Sequence, residues 1–256
     1  MSDTKINNAI EFFKKEDYKN ALSSFNEILS EDENNPNLLN NIALCEVKLG
    51  NFEKAEQNFL KAISFDEKAP QPYLNLAELY FSQNELLKAI ELLQRASSIM
   101  PDNIAILHYL ARIYIEDKRY EEGIDALNLI LDLSPENVDA YWDLGMLHFD
   151  MGEYEISSRN FENVLEKVQN NPVIFYQTAL SYEMQNNIDK AISNHLKAIT
   201  VNEKFPLSYK RLGMLYMTRG EFEDAVEYFE DYLKFDLPQE EKTAIKKNIE
   251  SLKLKK

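Results

Sequence analysis

The sequence is poor in the residues that interrupt helices. Its 256 residues include six glycines, eight prolines and a single cysteine, Cys45. So few glycines and prolines leave little chain for loops, which favours a protein made almost entirely of helices. One cysteine excludes an intramolecular disulfide and is typical of a reducing compartment. No stretch of about 18 apolar residues occurs, so we expect no transmembrane helix.

Positive charge is also scarce. The chain has 28 Lys and Arg residues against 44 Asp and Glu residues, for a formal net charge of −16. A nucleic-acid-binding protein needs a basic surface to displace counterions, so nucleic acid is not an expected partner. The first residues lack the basic region and apolar core of a secretory signal. We therefore expect a cytoplasmic protein that does not insert into a membrane.

The motifs of common enzymes and metal sites are missing as well. The glycines form no phosphate-binding loop, and neither an HExxH nor a CxxC pattern occurs. Cys45 is predicted to be a small buried residue. His148 and His195 are interpreted as partly buried packing residues rather than metal ligands. The sequence therefore predicts no catalytic residues, no cofactor and no metal site.

What the sequence does contain is a repeat of 34 residues. One set of residues at this spacing is small: Ala9, Ala43, Ala77, Ala111, Gly145, Ala179 and Gly213. A second set is mostly Gly or Asn: Gly50, Asn84, Lys118, Gly152, Asn186 and Gly220. Prolines form pairs at the same spacing: Pro36 and Pro70, Pro101 and Pro135, Pro172 and Pro206.

Each of these sets has a structural reason. Gly or Asn suits the left-handed residue that follows a helix, where a Cβ atom is penalised. A small residue lets two helices approach closely, and proline marks the break between one unit and the next. Apolar residues recur between these positions at helical spacing. Each unit is therefore predicted to be two antiparallel helices joined by a short turn.

These residues resemble the tetratricopeptide repeat (TPR). The best match is the unit at residues 70–103, with Tyr73, Leu76, Ala77, Tyr80, Ala89, Leu93, Ala96 and Pro101. The resemblance implies an all-α protein, a right-handed α-solenoid of seven helix-turn-helix repeats. The expected superhelix covers residues 2–239 as units 2–35, 36–69, 70–103, 104–137, 138–171, 172–205 and 206–239.

Residues 240–256 follow the last expected repeat. We interpret them as a capping helix that covers the apolar face of that repeat. The alternative is a basic tail for an acidic surface. Six lysines against three glutamates give this segment too little positive charge to favour the tail.

The resemblance also implies a concave groove lined by the first helix of every unit. Asn7, Asn41 and Asn75 share one repeat position, and a side-chain amide pairs with a peptide backbone whatever its sequence. Lys210 and Arg211 form a basic corner suited to an acidic side chain. The alternative for the large apolar members is packing against neighbouring helices. The expected groove residues are Asn7, Asn40, Asn41, Asn75, Phe81, His108, Tyr109, Arg112, Trp142, Asp143, Met146, Phe149, Tyr176, Gln177, Lys210 and Arg211.

The sequence therefore predicts a non-enzymatic adaptor whose groove binds an extended or helical segment of another protein. Two alternatives stay open. One is a self-assembling structural protein, a homo-oligomer in which the first unit docks into a neighbour's groove. The other is a targeting or regulatory module for a separately encoded enzyme. The carboxylates on second helices are interpreted as a solvated surface, with a docking surface for a basic partner as the alternative.

Overall fold

The computed structural model describes residues 2–254, and side chains from residue 4 onward. Every regular element in this range is an α-helix, which confirms the all-helical prediction. The chain divides after Pro135 into two compact units, each of which contains several of the 34-residue repeats. From here on, unit 1 and unit 2 mean these two larger parts of the chain. The helices of unit 1 are α1 (Ser2–Lys14), α2 (Tyr18–Leu29), α3 (Pro36–Lys48), α4 (Phe52–Phe65), α5 (Pro70–Ser82), α6 (Leu86–Ile99), α7 (Ile104–Glu116) and α8 (Tyr120–Leu133).

Unit 2 continues the same alternation and adds one helix. Each of its first six helices has between 11 and 14 residues. The helices of unit 2 are α9 (Val138–Asp150), α10 (Tyr154–Lys167), α11 (Pro172–Met184), α12 (Ile188–Val201), α13 (Pro206–Arg219), α14 (Phe222–Tyr232) and α15 (Gln239–Lys253).

Consecutive helices pack as hairpins within each unit. We call α1, α3, α5, α7, α9, α11 and α13 the first helices, and the helices that follow them, from α2 to α14, the second helices. In unit 1, α3 contacts α5 and α5 contacts α7, so these first helices lie side by side. The surface that the first helices present in each unit is called its first-helix face, and the opposite surface its second-helix face.

The turn inside each hairpin has one residue with left-handed backbone. Its φ is +79° at Gly50 and Gly220 and +81° at Gly152. The same conformation occurs at four other residues of the 34-residue series, namely Glu16, Asn84, Lys118 and Asn186. The predicted role of this position is confirmed, and Glu16 extends the series by one member. A β-carbon is disfavoured in this conformation, so Glu16 and Lys118 adopt it at a cost in folding free energy that glycine avoids.

The small residues lie where the two helices of a hairpin come closest. All of the alanines in the series are buried. At Gly145 a β-carbon would lie 2.7 Å from the Phe161 ring, and at Gly213 one would lie 2.5 Å from the Phe229 ring. Glycine at these two positions therefore lets a phenylalanine of the second helix sit directly against the backbone of the first.

The last helix covers the second helix before it. Ile245, Ile249 and Leu252 of α15 are buried in one apolar cluster with Phe229 and Tyr232 of α14. This is the packing expected of a terminal capping helix. The segment predicted as that cap was 240–256, and its residues 255 and 256 lie outside the described residues.

Candidate functional site

The first-helix face of unit 1 carries half of the predicted groove residues. Asn7 and Arg112 are exposed, and Asn41, Asn75, Phe81, His108 and Tyr109 are half-buried. Asn40 is buried, with 7% of its surface exposed. The face is therefore a mixed surface of amides, rings and one arginine that is only partly accessible to solvent.

The amide series does not act as a uniform row. The Asn75 side-chain Nδ2 donates to Asn40 Oδ1 at 2.8 Å, so one predicted groove residue holds another. Among the described residues, the side chain of Asn41 has no hydrogen-bond partner. Its amide keeps both its donors and its acceptor for solvent or for a ligand.

An open cavity of about 240 Å³ lies beside this free amide. Ile10 and Phe13 of α1 and Leu44 of α3 form its walls together with Asn41, and Phe25 of α2 forms its floor. The cavity is lined almost entirely by apolar side chains, and such a hollow is the usual receptor for an apolar side chain of a ligand. The family resemblance places Ile10, Phe13 and Leu44 at repeat positions that face the groove, although they were not among the selected groove residues. The signal that finds them is helical periodicity, because they share a face with Asn7 and Asn41.

A second cluster on the same face is built around Arg112. Its Nη2 atom lies 2.9 Å from Glu78 Oε2 and donates to the Tyr109 hydroxyl at 3.0 Å. Tyr109 in turn donates to the Glu78 carboxylate. The guanidinium lies 4.4 Å from the Tyr109 ring centroid and 5.0 Å from that of Phe81. Stacking and the ion pair hold Arg112 in one orientation.

On the first-helix face of unit 2, the predicted aromatic residues of α9 contact aromatic residues of α10, the second helix of the same hairpin. Trp142 and Phe149 are half-buried, and so are Asp143 and Met146 between them on α9. The Trp142 ring lies 5.3 Å from that of Phe161, and the Phe149 ring lies 5.3 Å from that of Tyr154. These two rings are therefore partly covered by rings of α10.

The predicted basic corner is paired within the chain. Lys210 Nζ lies 2.5 Å from Glu241 Oε1, and Arg211 Nη1 lies 3.3 Å from Glu183 Oε2. Hydrogen bonds from Lys210 and Tyr232 hold the pKa of Glu241 below its usual range. A carboxylate from a ligand would have to compete with these two partners, which makes Lys210 and Arg211 weaker receptors than their sequence suggests.

A Ser–His–Glu arrangement lies behind the remaining groove residues of unit 2. Gln177 is half-buried, and Tyr176 lies 5.5 Å from the His195 ring. His195 Nε2 is 2.7 Å from Glu183 Oε1, and its Nδ1 is 3.2 Å from Ser208 Oγ. Burial lowers the pKa of His195 and favours the neutral ring.

This arrangement has the partners of a serine nucleophile but not its access. His195 and Ser208 are both 0% exposed, so no substrate reaches the hydroxyl. His195 fills a packing position, as predicted, and its hydrogen bonds join α12 to α11 and α13.

The other candidate chemical groups are also structural. Cys45 is fully buried, and burial raises the pKa of its thiol to about 11. His148 is 8% exposed, and its Nδ1 lies 2.6 Å from Glu153 Oε2. Within residues 2–254, no group of His, Cys, Asp and Glu side chains is arranged to hold a metal ion. None of the described helices combines the length and the apolar character needed to cross a bilayer.

Family models of the tetratricopeptide repeat match residues 36–102, 81–132 and 208–241. The chain is a TPR protein. The matched ranges lie in both units and include helix pairs from α3 to α8 and from α13 to α14.

Solved structures agree with this assignment. A tetratricopeptide repeat protein from Parabacteroides merdae is 21% identical, with 98% of each chain covered and a TM-score of 0.62. The C-terminal part of a TPR protein from Cytophaga hutchinsonii is 17% identical, with coverage of 90% of this chain and 95% of that chain and a TM-score of 0.76. YrrB, described as a TPR protein with an unusual peptide-binding site, is 19% identical, covers 72% of this chain and 95% of its own, and has a TM-score of 0.58. At these identities the likeness shows the fold.

Proposed function

We propose that the first-helix face of unit 1 binds an extended peptide segment of another protein. An apolar side chain of that segment enters the cavity between α1 and α3, and the free amide of Asn41 pairs with the adjacent peptide backbone. The observation that carries this proposal is the open apolar hollow with an unpartnered amide at its rim. Such a site reads one side chain and one peptide unit together.

The family supports the proposal at a coarser level. TPR repeats form protein-interaction scaffolds, and the related fold of YrrB is described with a peptide-binding site. The role proposed for this chain is that of a non-enzymatic adaptor, with a protein as its partner and a cytoplasmic location. Its affinity comes from the hydrophobic contact in the cavity, because the Glu78 and Arg112 charges on the same face are already paired with each other.

The test is affinity capture with matched variants. Asn41→Ala with Leu44→Ala removes the amide and one cavity wall. Asn128→Ala, on the second helix α8, removes an exposed amide elsewhere and serves as the control. We expect captured partners to be lost from the double variant and kept by the control. Partners retained equally by both would contradict the proposal. Asn75 is avoided because removing its amide would leave the buried Asn40 without its partner.

A further inference from the structure

A large cavity in unit 2 lies on its second-helix face. It is a cleft of about 730 Å³ between α10 and α12, and Phe175 and Tyr182 of α11 form its floor. Glu162 and Glu166 line the α10 side of the cleft, and two lysines line the α12 side. The two sides therefore carry opposite charges.

One end of the cleft is closed by internal contacts. The Tyr182 hydroxyl donates to the Glu162 carboxylate, and Lys190 Nζ donates to the same hydroxyl at 3.0 Å. Lys190 Nζ also lies 4.5 Å from the Tyr182 ring centroid. At this end the opposite charges are joined through the phenol.

The other end of the cleft is open. Glu166 and Lys197 are exposed, and neither forms an ion pair with another described residue. Lys197 Nζ lies 5.9 Å from the ring centroid of Phe175, which is 8% exposed. A carboxylate and an ammonium thus flank an apolar floor without meeting each other.

One cleft of unit 1 has a different arrangement of charges. It lies between α6 and α8 over α7 and has a volume of about 280 Å³. Glu122 and Asp125 line its α8 side, and Ser97 lines its α6 side. A second cleft of unit 1, between α4 and α6, does carry opposite charges, with Glu53 and Glu56 on one side and Lys88 on the other. Lys88 and Tyr80 lie 102 residues, or three repeats, before Lys190 and Tyr182, so the closed end follows the repeat pattern. The open end does not, because Ser64 and Arg95 occupy the positions equivalent to Glu166 and Lys197.

We propose that the cleft between α10 and α12 docks a peptide segment of a partner protein with a basic, an apolar and an acidic side chain. The basic side chain pairs with Glu166, the acidic one with Lys197, and the apolar one covers Phe175. A partner of uniform charge is repelled by one side of the cleft, whereas a segment with both charges is attracted by both sides. This site is on a different face and in a different unit from the proposed peptide site.

The segment contacts only the open end of the cleft, so the full length of the floor is an upper limit on its size. From Phe175 to Tyr182 the floor follows seven residues of α11, or about 10 Å at the helical rise. About three residues of extended chain cover that distance. The recognition element is therefore a short motif.

The experiment is a selection of randomised peptides displayed on phage, carried out on the full chain. The same selection is done on the double variant Glu166→Lys/Lys197→Glu, in which the two sides exchange charge. Both side chains are exposed, so this variant is expected to fold, and circular dichroism checks that it does. Glu166→Gln/Lys197→Gln removes both charges without creating repulsion and is the second variant.

We expect peptides enriched on the unmodified chain to carry a basic and an acidic residue around an apolar one. Their affinity should fall by about two- to thirtyfold on Glu166→Gln/Lys197→Gln, because each exposed charge pair contributes only modestly to binding. It should fall further on the charge-exchanged variant, because like charges then face each other. The charge-exchanged variant should enrich the opposite charge order. The peptides enriched on the unmodified chain should bind the Asn41→Ala variant equally well. This result would distinguish the cleft from the peptide site under the proposed function.

Two results would overturn the proposal. One is a selection whose outcome does not depend on these charges, either because both forms of the chain enrich the same peptides or because neither form enriches any. The other is a concentration-dependent dimer of the peptide-free chain in sedimentation velocity that the charge-exchanged variant abolishes. That result would make a second copy of the chain the occupant of the cleft.

Discussion

Replacing Tyr73 by phenylalanine is expected to stabilise the protein. The Tyr73 side chain is fully buried, and its hydroxyl has no hydrogen-bond partner within the described structure. Burial also raises the pKa of this phenol. A buried hydroxyl without a partner costs about 1–3 kcal/mol of folding free energy. Tyr73→Phe removes that cost and keeps the ring, so we expect the free energy of unfolding to rise by about 1 kcal/mol.

The same helix provides a matched control. Tyr80 is 7% exposed, and its hydroxyl donates to Glu56 Oε1 at 2.6 Å. Tyr80→Phe is the same chemical change, but it removes a hydrogen bond to a charged acceptor. We expect a loss of about 1–2 kcal/mol, since Glu56 is partly exposed and regains water. The two substitutions in α5 should therefore change stability in opposite directions.

Urea unfolding and amide hydrogen exchange in α5 together provide the assay. Exchange is needed because long repeat arrays depart from two-state unfolding, so the local opening free energy is the safer quantity. For a chain of this size, 1 kcal/mol corresponds to a shift of about 2–4 °C in Tm. Faster exchange in Tyr73→Phe than in the unmodified chain would refute the reasoning, because it would mean that the hydroxyl has a stabilising partner.

Three further predictions concern the turns, the hairpin contacts and a buried histidine. Lys118→Gly should raise the urea midpoint by the equivalent of about 0.5–1 kcal/mol, because its left-handed backbone penalises a β-carbon; no gain would contradict this. Gly213→Ala should lower the unfolding free energy by about 1–2 kcal/mol, because the new methyl group would clash with the Phe229 ring. An unchanged urea midpoint would contradict this, because it would mean that the ring moves aside without cost. The folded pKa of His195 lies below its unfolded value, so the unfolded state takes up its proton first and stability falls as the pH drops below about 6.5. His195→Leu should remove that part of the pH dependence when urea midpoints at about pH 7.5 and about pH 5.5 are compared, and an identical slope in both proteins would contradict the assignment.

The fold could be predicted from the sequence because its signals are periodic. Small residues, left-handed turn residues and apolar residues each return every 34 positions, and each signal has a local cause that does not depend on distant parts of the chain. Lys118 shows how far this reaches. Nothing in lysine favours left-handed backbone, yet its place in the series predicted the conformation that it adopts.

The candidate site was only partly predictable, because its character depends on which side chains pair. Glu78 and Arg112 are 34 residues apart and form an ion pair, a contact that the repeat spacing makes possible. Asn40 and Asn75 are 35 residues apart, and their hydrogen bond depends on rotamers that the spacing does not define. For this reason the sequence predicted three equivalent amides, at Asn7, Asn41 and Asn75, whereas in the structure Asn75 is paired with Asn40 and Asn41 has no partner.

The most direct test of the proposed groove is photo-crosslinking from Asn41. A photoreactive amino acid placed at residue 41, beside the cavity, is compared with the same group at residue 128 on the second helix α8. Mass spectrometry then identifies the crosslinked peptide. We predict that residue 41 captures one short segment of a partner, with an apolar residue next to the site of attachment, and that residue 128 does not capture it. Equal capture of that segment from both positions would contradict the claim that the first-helix face is the receptor.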